Sequence, residues 1–245
     1  MPQNINSASR LVTLLRAIPS YPDNTQTLEV WAKLFQVIDN NRNKTSNAVA
    51  ERLGAMYREL EVVRELMQKA NYSEKLYAPS IARVENAIST LLLPGTWNQA
   101  RQHLTAETFV ALEFCGEILP SEETQIASAE LDEIKARIDE LAASLADSQL
   151  PLRLRTLIEH HVDLIRRALA EYPISGAKAL RQAARTALGE LIELKETVEA
   201  NRDAPEINNL GVVWKKVNEA ADLALKAEKL VQLGHKVWAM LDSAL

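Results

Sequence analysis

The chain has one cysteine, Cys115, among its 245 residues. No internal disulfide can support the fold, and the apolar run Phe109–Leu119 makes that thiol a small buried hydrophobe. Glycine is scarce too: seven are present, and none stands in the G-x-G-x-x-G or G-x-x-x-x-G-K spacing that closes backbone amides around a phosphate. Aromatic residues make up 5%, which disfavours a sheet, because strands draw on aromatic and β-branched side chains. No stretch reaches the ~18 consecutive apolar residues of a membrane span. The polar opening Met1–Arg10 lacks the apolar core of a secretory signal, so a cytoplasmic location is the expectation. A net charge of −5 leaves no overall field with which to coat nucleic acid.

Catalytic patterns are missing as well. No G-x-S-x-G elbow presents a nucleophile, and Cys115 has no obvious base beside it. Of the four histidines, His103, His160, His161 and His235, none has glutamate three residues earlier, as a di-iron bundle requires. Those positions hold Ala100, Leu157, Ile158 and Gln232. Glu228 and His235 share one helical face and are the residual metal-site pair. No cofactor is expected, and an enzyme is disfavoured.

What is present is alanine and leucine, both strong helix formers, in a chain with 47% hydrophobic and 25% charged residues. That composition belongs to a globular protein. Nine prolines mark the joints. Helices are expected over Ser9–Ile18, over Thr27–Asp39, from Thr45 or Ser46 to about Ala70, from Pro79 to the Pro94-Gly95 stop, over Thr96–Leu104 and over Thr105–Leu119. Trp31, Phe35, Phe109 and Phe114 lie at core-like spacing. Ser121, followed by Glu122 and Glu123, reads as the cap and first turn of a longer helix.

From there the spacing of apolar residues alternates between four and three, the mark of a heptad seam. The first seam is Ala127, Leu131, Ile134, Ile138, Leu141 and Leu145. A break at Gln149-Leu150-Pro151 precedes Leu154, Ile158, His161, Ile165 and Ala168. After a turn at Tyr172-Pro173 and Ser175-Gly176 come Ala177, Leu180, Ala184, Ala187, Leu191, Leu194 and Val198. A loop over Asn201–Gly211 leads to Val213, Val217, Ala220, Ala224, Ala227, Val231, Gly234, Trp238 and Leu241. Short connections make consecutive helices antiparallel neighbours. The expected fold is therefore all-α: an antiparallel helical bundle of about eight helices, with an N-terminal part over 1–120 and a four-helix bundle over 121–245 that share one core if no linker separates them. A mid-helix glycine costs ~1 kcal/mol against alanine, so Gly189 and Gly234 are expected where two backbones approach closely.

Charge is polarised along the chain. Residues 121–150 carry eight acids against Lys135 and Arg137, a net −6. Residues 151–185 carry seven bases (Arg153, Arg155, Arg166, Arg167, Lys178, Arg181 and Arg185) against Glu159, Asp163 and Glu171, a net +4. Opposite charges flanking a shared apolar seam fix helix pairing and register. The same bases, Arg153, Arg166, Arg167, Lys178, Arg181 and Arg185, also suit a partner protein with an acidic surface. Contact with RNA or DNA is the lesser alternative, because aromatic side chains for base stacking are missing from the stretch.

One catalytic pattern remains. His160 follows Arg155 after four residues and Arg153 after six. This resembles the Arg-x4–6-His signature of HEPN-type ribonucleases, over six residues of the chain. The resemblance implies RNA cleavage in a bacterial defence or toxin system, with His160 as acid or base and Arg155 on the scissile phosphate. Five positions turn ~140° around a helix of 3.6 residues per turn, so the pair does not share one face.

By elimination, the sequence reads as a non-enzymatic helical protein-binding module, an adaptor, accessory or inhibitory component, with self-association open. The HEPN-like nuclease is the alternative. A membrane-active helical toxin comes second, with the end Val231–Leu245 as its contact helix; Lys226, Lys229 and Lys236 are few for attracting anionic lipid.

Overall fold

The computed structural model describes residues 4–37 and 39–225. Among the described residues there are eleven α-helices and three short 3-10 turns, and no strand. The chain is all-α, as its composition predicts. It divides into two compact units, one of Met1–Glu122 with Pro173–Ser175, the other of Glu123–Tyr172 with Gly176–Leu245.

The N-terminal unit holds α1 (Ser7–Arg16), α2 (Thr27–Leu34), α3 (Arg42–Lys69), α4 (Ala78–Ala87), α5 (Trp97–Arg101) and α6 (Ala106–Ile118). Asn6 starts α1 two residues earlier than expected. Its side chain accepts from the Ser9 amide while the Ser9 hydroxyl accepts from the Asn6 amide, a reciprocal cap. The Asn6 amide group also donates to the Gly116 and Leu119 carbonyls at 2.8 and 3.1 Å, tying α1 to the end of α6. α1 packs on α6 and α3, and α4 packs on α6. Trp31 lies at the core, edge-on to Trp97 and stacked on Phe35.

Three boundaries in this unit differ from expectation. α2 stops at Leu34 instead of Asp39, because Gln36 takes φ 54°. Gln36 then donates to the Lys33 carbonyl and Val37 to the Ala32 carbonyl at 3.2 and 2.8 Å, a left-handed stop that a glycine usually marks. α3 starts at Arg42, capped by Asn41 on the amides of Asn43 and Lys44, ahead of the expected Thr45 or Ser46. α4 ends at Ala87, and Leu91, in the 3-10 turn Thr90–Leu92, is 86% exposed.

The C-terminal unit holds α7 (Ser128–Ser144), most of α8 (Leu152–Ser175), α9 (Ala177–Glu193), α10 (Lys195–Glu199) and α11 (Pro205–Ala224). Ile134, Ile138 and Leu141 of α7 are buried together with Leu154, Ile158, His161, Ile165 and Ala168 of α8. So are Leu180, Ala184, Ala187 and Leu191 of α9 and Leu210, Val213, Trp214 and Val217 of α11. α11 packs on both α9 and α7. Burying each such leucine, isoleucine or valine side chain contributes roughly 1.5–3 kcal/mol before entropy is counted.

The largest departure lies at Ser121. No helix begins there; α7 starts at Ser128 with Ala127 before it. The two acids meant for its first turn serve other helices. Within the N-terminal unit, Glu122 accepts from the Ser7 amide and hydroxyl at the start of α1. Within the C-terminal unit, Glu123 accepts from the Ala177 amide at 2.6 Å, at the start of α9. Carboxylates satisfy the free amides and positive dipole of a helix start as well from outside the helix as from within it. The Thr124 amide donates to the Ala224 carbonyl at 2.7 Å, so this stretch is held extended.

Other expectations are also corrected. α8 continues through Tyr172-Pro173 to Ser175, and the turn is at Gly176 alone, with φ 65°. α11 begins at Pro205, so the expected loop over Asn201–Gly211 is shorter. Gly189 sits in no tight contact: a Cβ placed on it would meet nothing within 4 Å. Leu223, expected inside with Leu141 and Leu191, is 74% exposed, whereas those two are buried. Ile38, Glu228, His235, Gly234 and the seam residues from Ala227 onward lie outside the described residues. Among the described residues no helix is long and apolar enough to cross a membrane.

Candidate functional site

The one polar side chain on the α8 seam, His161, has no exposed side-chain surface. A buried polar group must be hydrogen-bonded to be tolerated, and both ring nitrogens of His161 are. The Trp214 indole of α11 donates to Nδ1 at 3.2 Å. Indole nitrogen only donates, so Nδ1 carries the lone pair and Nε2 carries the proton. Nε2 in turn donates to Oε2 of Glu190, on α9, at 3.0 Å. Burial pushes the His161 pKa down from 6.5 to about 4, against the pull of the Glu190 carboxylate. The rings of His161 and Trp214 meet edge-on, with centroids 5.7 Å apart. This relay fastens three helices at one point.

Glu190 accepts a second bond. Nε2 of His160, whose side chain is 44% exposed, lies 3.1 Å from its Oε1. One carboxylate thus holds a buried and an exposed histidine of α8. Arg155, the other half of the Arg-x4–6-His pattern, stands on the same continuous helix and is half-buried. Its Nε is buried with no hydrogen-bond partner among the described residues. No bond joins it to His160 there.

The remaining basic candidates divide in two. Arg166 reaches Asp139 of α7 at 2.8 Å, and Arg181 reaches Asp222 of α11 at 2.6 Å. Lys216 of α11 pairs with Glu133 of α7 at 2.7 Å. Hydrogen bonds from Lys216 and Arg137 hold the Glu133 carboxyl below its usual range. All three pairs stitch neighbouring helices; Arg166–Asp139 joins the acidic stretch to the basic one, whereas the other two run to α11. Lys178 is half-buried. Arg153, Arg167 and Arg185 are exposed and form no ion pair among the described residues.

Sequence reasoning placed His161 in the core but missed Glu190 and Trp214. A signal existed for Trp214. Leu210, Val213, Trp214, Val217 and Ala221 follow the i, i+3, i+4 stripe of a buried helix face, wider than the heptad seam drawn through Val213 and Val217. Glu190 carries no such signal, because its role depends on a contact between helices. Among the described residues, no group of three or more His, Cys, Asp or Glu side chains is placed to hold a metal ion. No family model, curated protein or solved structure matches the chain.

Proposed function

We propose that the chain is a non-enzymatic protein-binding module, an adaptor, accessory or inhibitory component of a larger assembly. In this reading it is an antiparallel helical bundle whose C-terminal helices are zipped by heptad-spaced apolar residues. It meets an acidic partner surface through α8 and α9, with Arg153, Arg167 and Arg185 at the contact. The observation that carries the reading is that these three arginines are exposed and unpaired among the described residues, on a stretch with net charge +4. An exposed guanidinium adds little to a fold. Its planar fork of donors suits carboxylates presented by another molecule. The antiparallel arrangement is supported by the bonds from His160 and His161 to Glu190 and from Arg166 to Asp139.

The test is affinity capture from the source cells with the wild-type chain and an Arg153→Glu, Arg167→Glu, Arg185→Glu variant. A specific acidic partner should be lost from the variant, which should keep its melting temperature. Equal capture by both would refute the basic face.

One observation favours a second reading, a HEPN-like ribonuclease using His160 and Arg155. The exposed His160 is oriented by a carboxylate, as general bases often are. Under this reading the purified chain cleaves RNA and His160→Ala does not. Absence of cleavage by the wild-type chain removes it.

A further inference from the structure

The relay at His161 accepts only one protonation state. A protonated imidazole has two N–H donors and no acceptor. Its Nδ1–H would point at the Trp214 indole N–H, donor against donor, where His161 has no exposed side-chain surface and Trp214 is fully buried. We propose that the Trp214–His161–Glu190 relay is an acid-sensitive latch, and that protonation of His161 expels the Trp214 hydrogen bond and unseats α11 from α8 and α9.

The surroundings favour release over accommodation. The ionisable groups acting on His161 are Glu190 of α9, which favours the cation, and His160 of its own helix, which opposes it. α11 presents the uncharged Trp214 there. The buried residues α7 adds to the same core, Ile134, Ile138 and Leu141, carry no charge and no acceptor side chain. Glu190 is already shared with His160 and partly open to water, so its attraction is diluted. Burial dominates, holding the His161 pKa at about 4. A histidine whose folded pKa lies below its unfolded value binds more protons when released. The released form therefore gains on the closed form as pH falls from about 6.5 to about 4, and the latch is fully closed above that window.

Hydrogen–deuterium exchange of the α11 segment, in the full chain and corrected for the intrinsic rate, reads this directly. The opening constant should rise about tenfold per pH unit across the window, roughly 300-fold in all. In His161→Gln, whose side chain stays neutral and can both accept and donate, the pH dependence should vanish. In Glu190→Gln it should persist and extend to lower pH, because the group favouring the cation is gone. A rise that survives in His161→Gln, or disappears in Glu190→Gln, would assign the effect to another group and overturn the latch. If His161→Gln does not fold, NMR titration of the wild-type imidazole decides. A midpoint near 4 supports the latch; a midpoint at or above the ordinary histidine value overturns it.

Discussion

Replacing Gly176 with alanine should destabilise the C-terminal unit by about 2–6 kcal/mol. Its φ of 65° and ψ of −156° fall in a region that is essentially glycine-only, where a side chain costs on the order of 1–3 kcal/mol. The methyl group would also overlap Oε1 of Glu123 and stand 2.6 Å from its Cδ. Glu123 is buried and caps the Ala177 amide, so it must leave the first amide of α9 to make room. Separating a buried carboxylate from its donor adds roughly 1–3 kcal/mol. Gly189 is the control. It lies inside α9, a Cβ there meets nothing within 4 Å, and Gly189→Ala should stabilise by about 0.5–1 kcal/mol. Urea unfolding of the full chain, followed by far-ultraviolet circular dichroism, measures both. The double variant Glu123→Ala, Gly176→Ala should cost less than the sum of the single changes, because the first substitution removes the overlap. A Gly176→Ala variant within ~0.5 kcal/mol of wild type, the usual range of an ordinary surface substitution, would refute the reasoning.

Arg10 is buried, and Nη2 lies 2.8 Å from Glu59 and 2.9 Å from Glu122, while Nε donates to the Ile174 carbonyl at 3.1 Å. Arg10→Met strands buried carboxylate charge and should cost about 3–5 kcal/mol in urea unfolding; adding Glu59→Gln should recover part of it, and a neutral single variant would contradict the network. Burial pushes the Cys115 thiol up to about 11. Alkylation at pH 8 should therefore be at least tenfold slower in the native chain than in urea, and equal rates would show the site to be open.

Much of the helical content was legible in local pattern. The alternating spacing through Ile134, Ile138 and Leu141, and through Leu154, Ile158, His161 and Ile165, names residues that are buried, because a helix turns each of them to one face. The cap at Thr105 was also legible: its hydroxyl accepts from the Thr108 amide. Ends without a glycine or proline were not. Gln36 stops α2 in a conformation its residue type does not advertise. Nor did a proline always mark an end, since α8 passes through Pro173 within its last turn and stops at Gly176. Gly189 misled for the opposite reason, since an exposed helix position tolerates glycine at small cost.

The amino-acid order alone therefore determined that this chain is helical and that residues such as Ile134, Ile138, Leu154 and Ile165, with His161 among them, belong inside, although Ala127, at the head of the first seam, is exposed. Those properties follow from periodicities set by the geometry of a single helix. Only the tertiary structure decided that Glu122 and Glu123 cap helices other than their own, that Glu190 serves two histidines, and that Trp214 dictates the tautomer of His161. Each of these joins residues distant in sequence, and a hydrogen bond acts over about 3 Å, so nothing in the linear order encodes it until the helices pack.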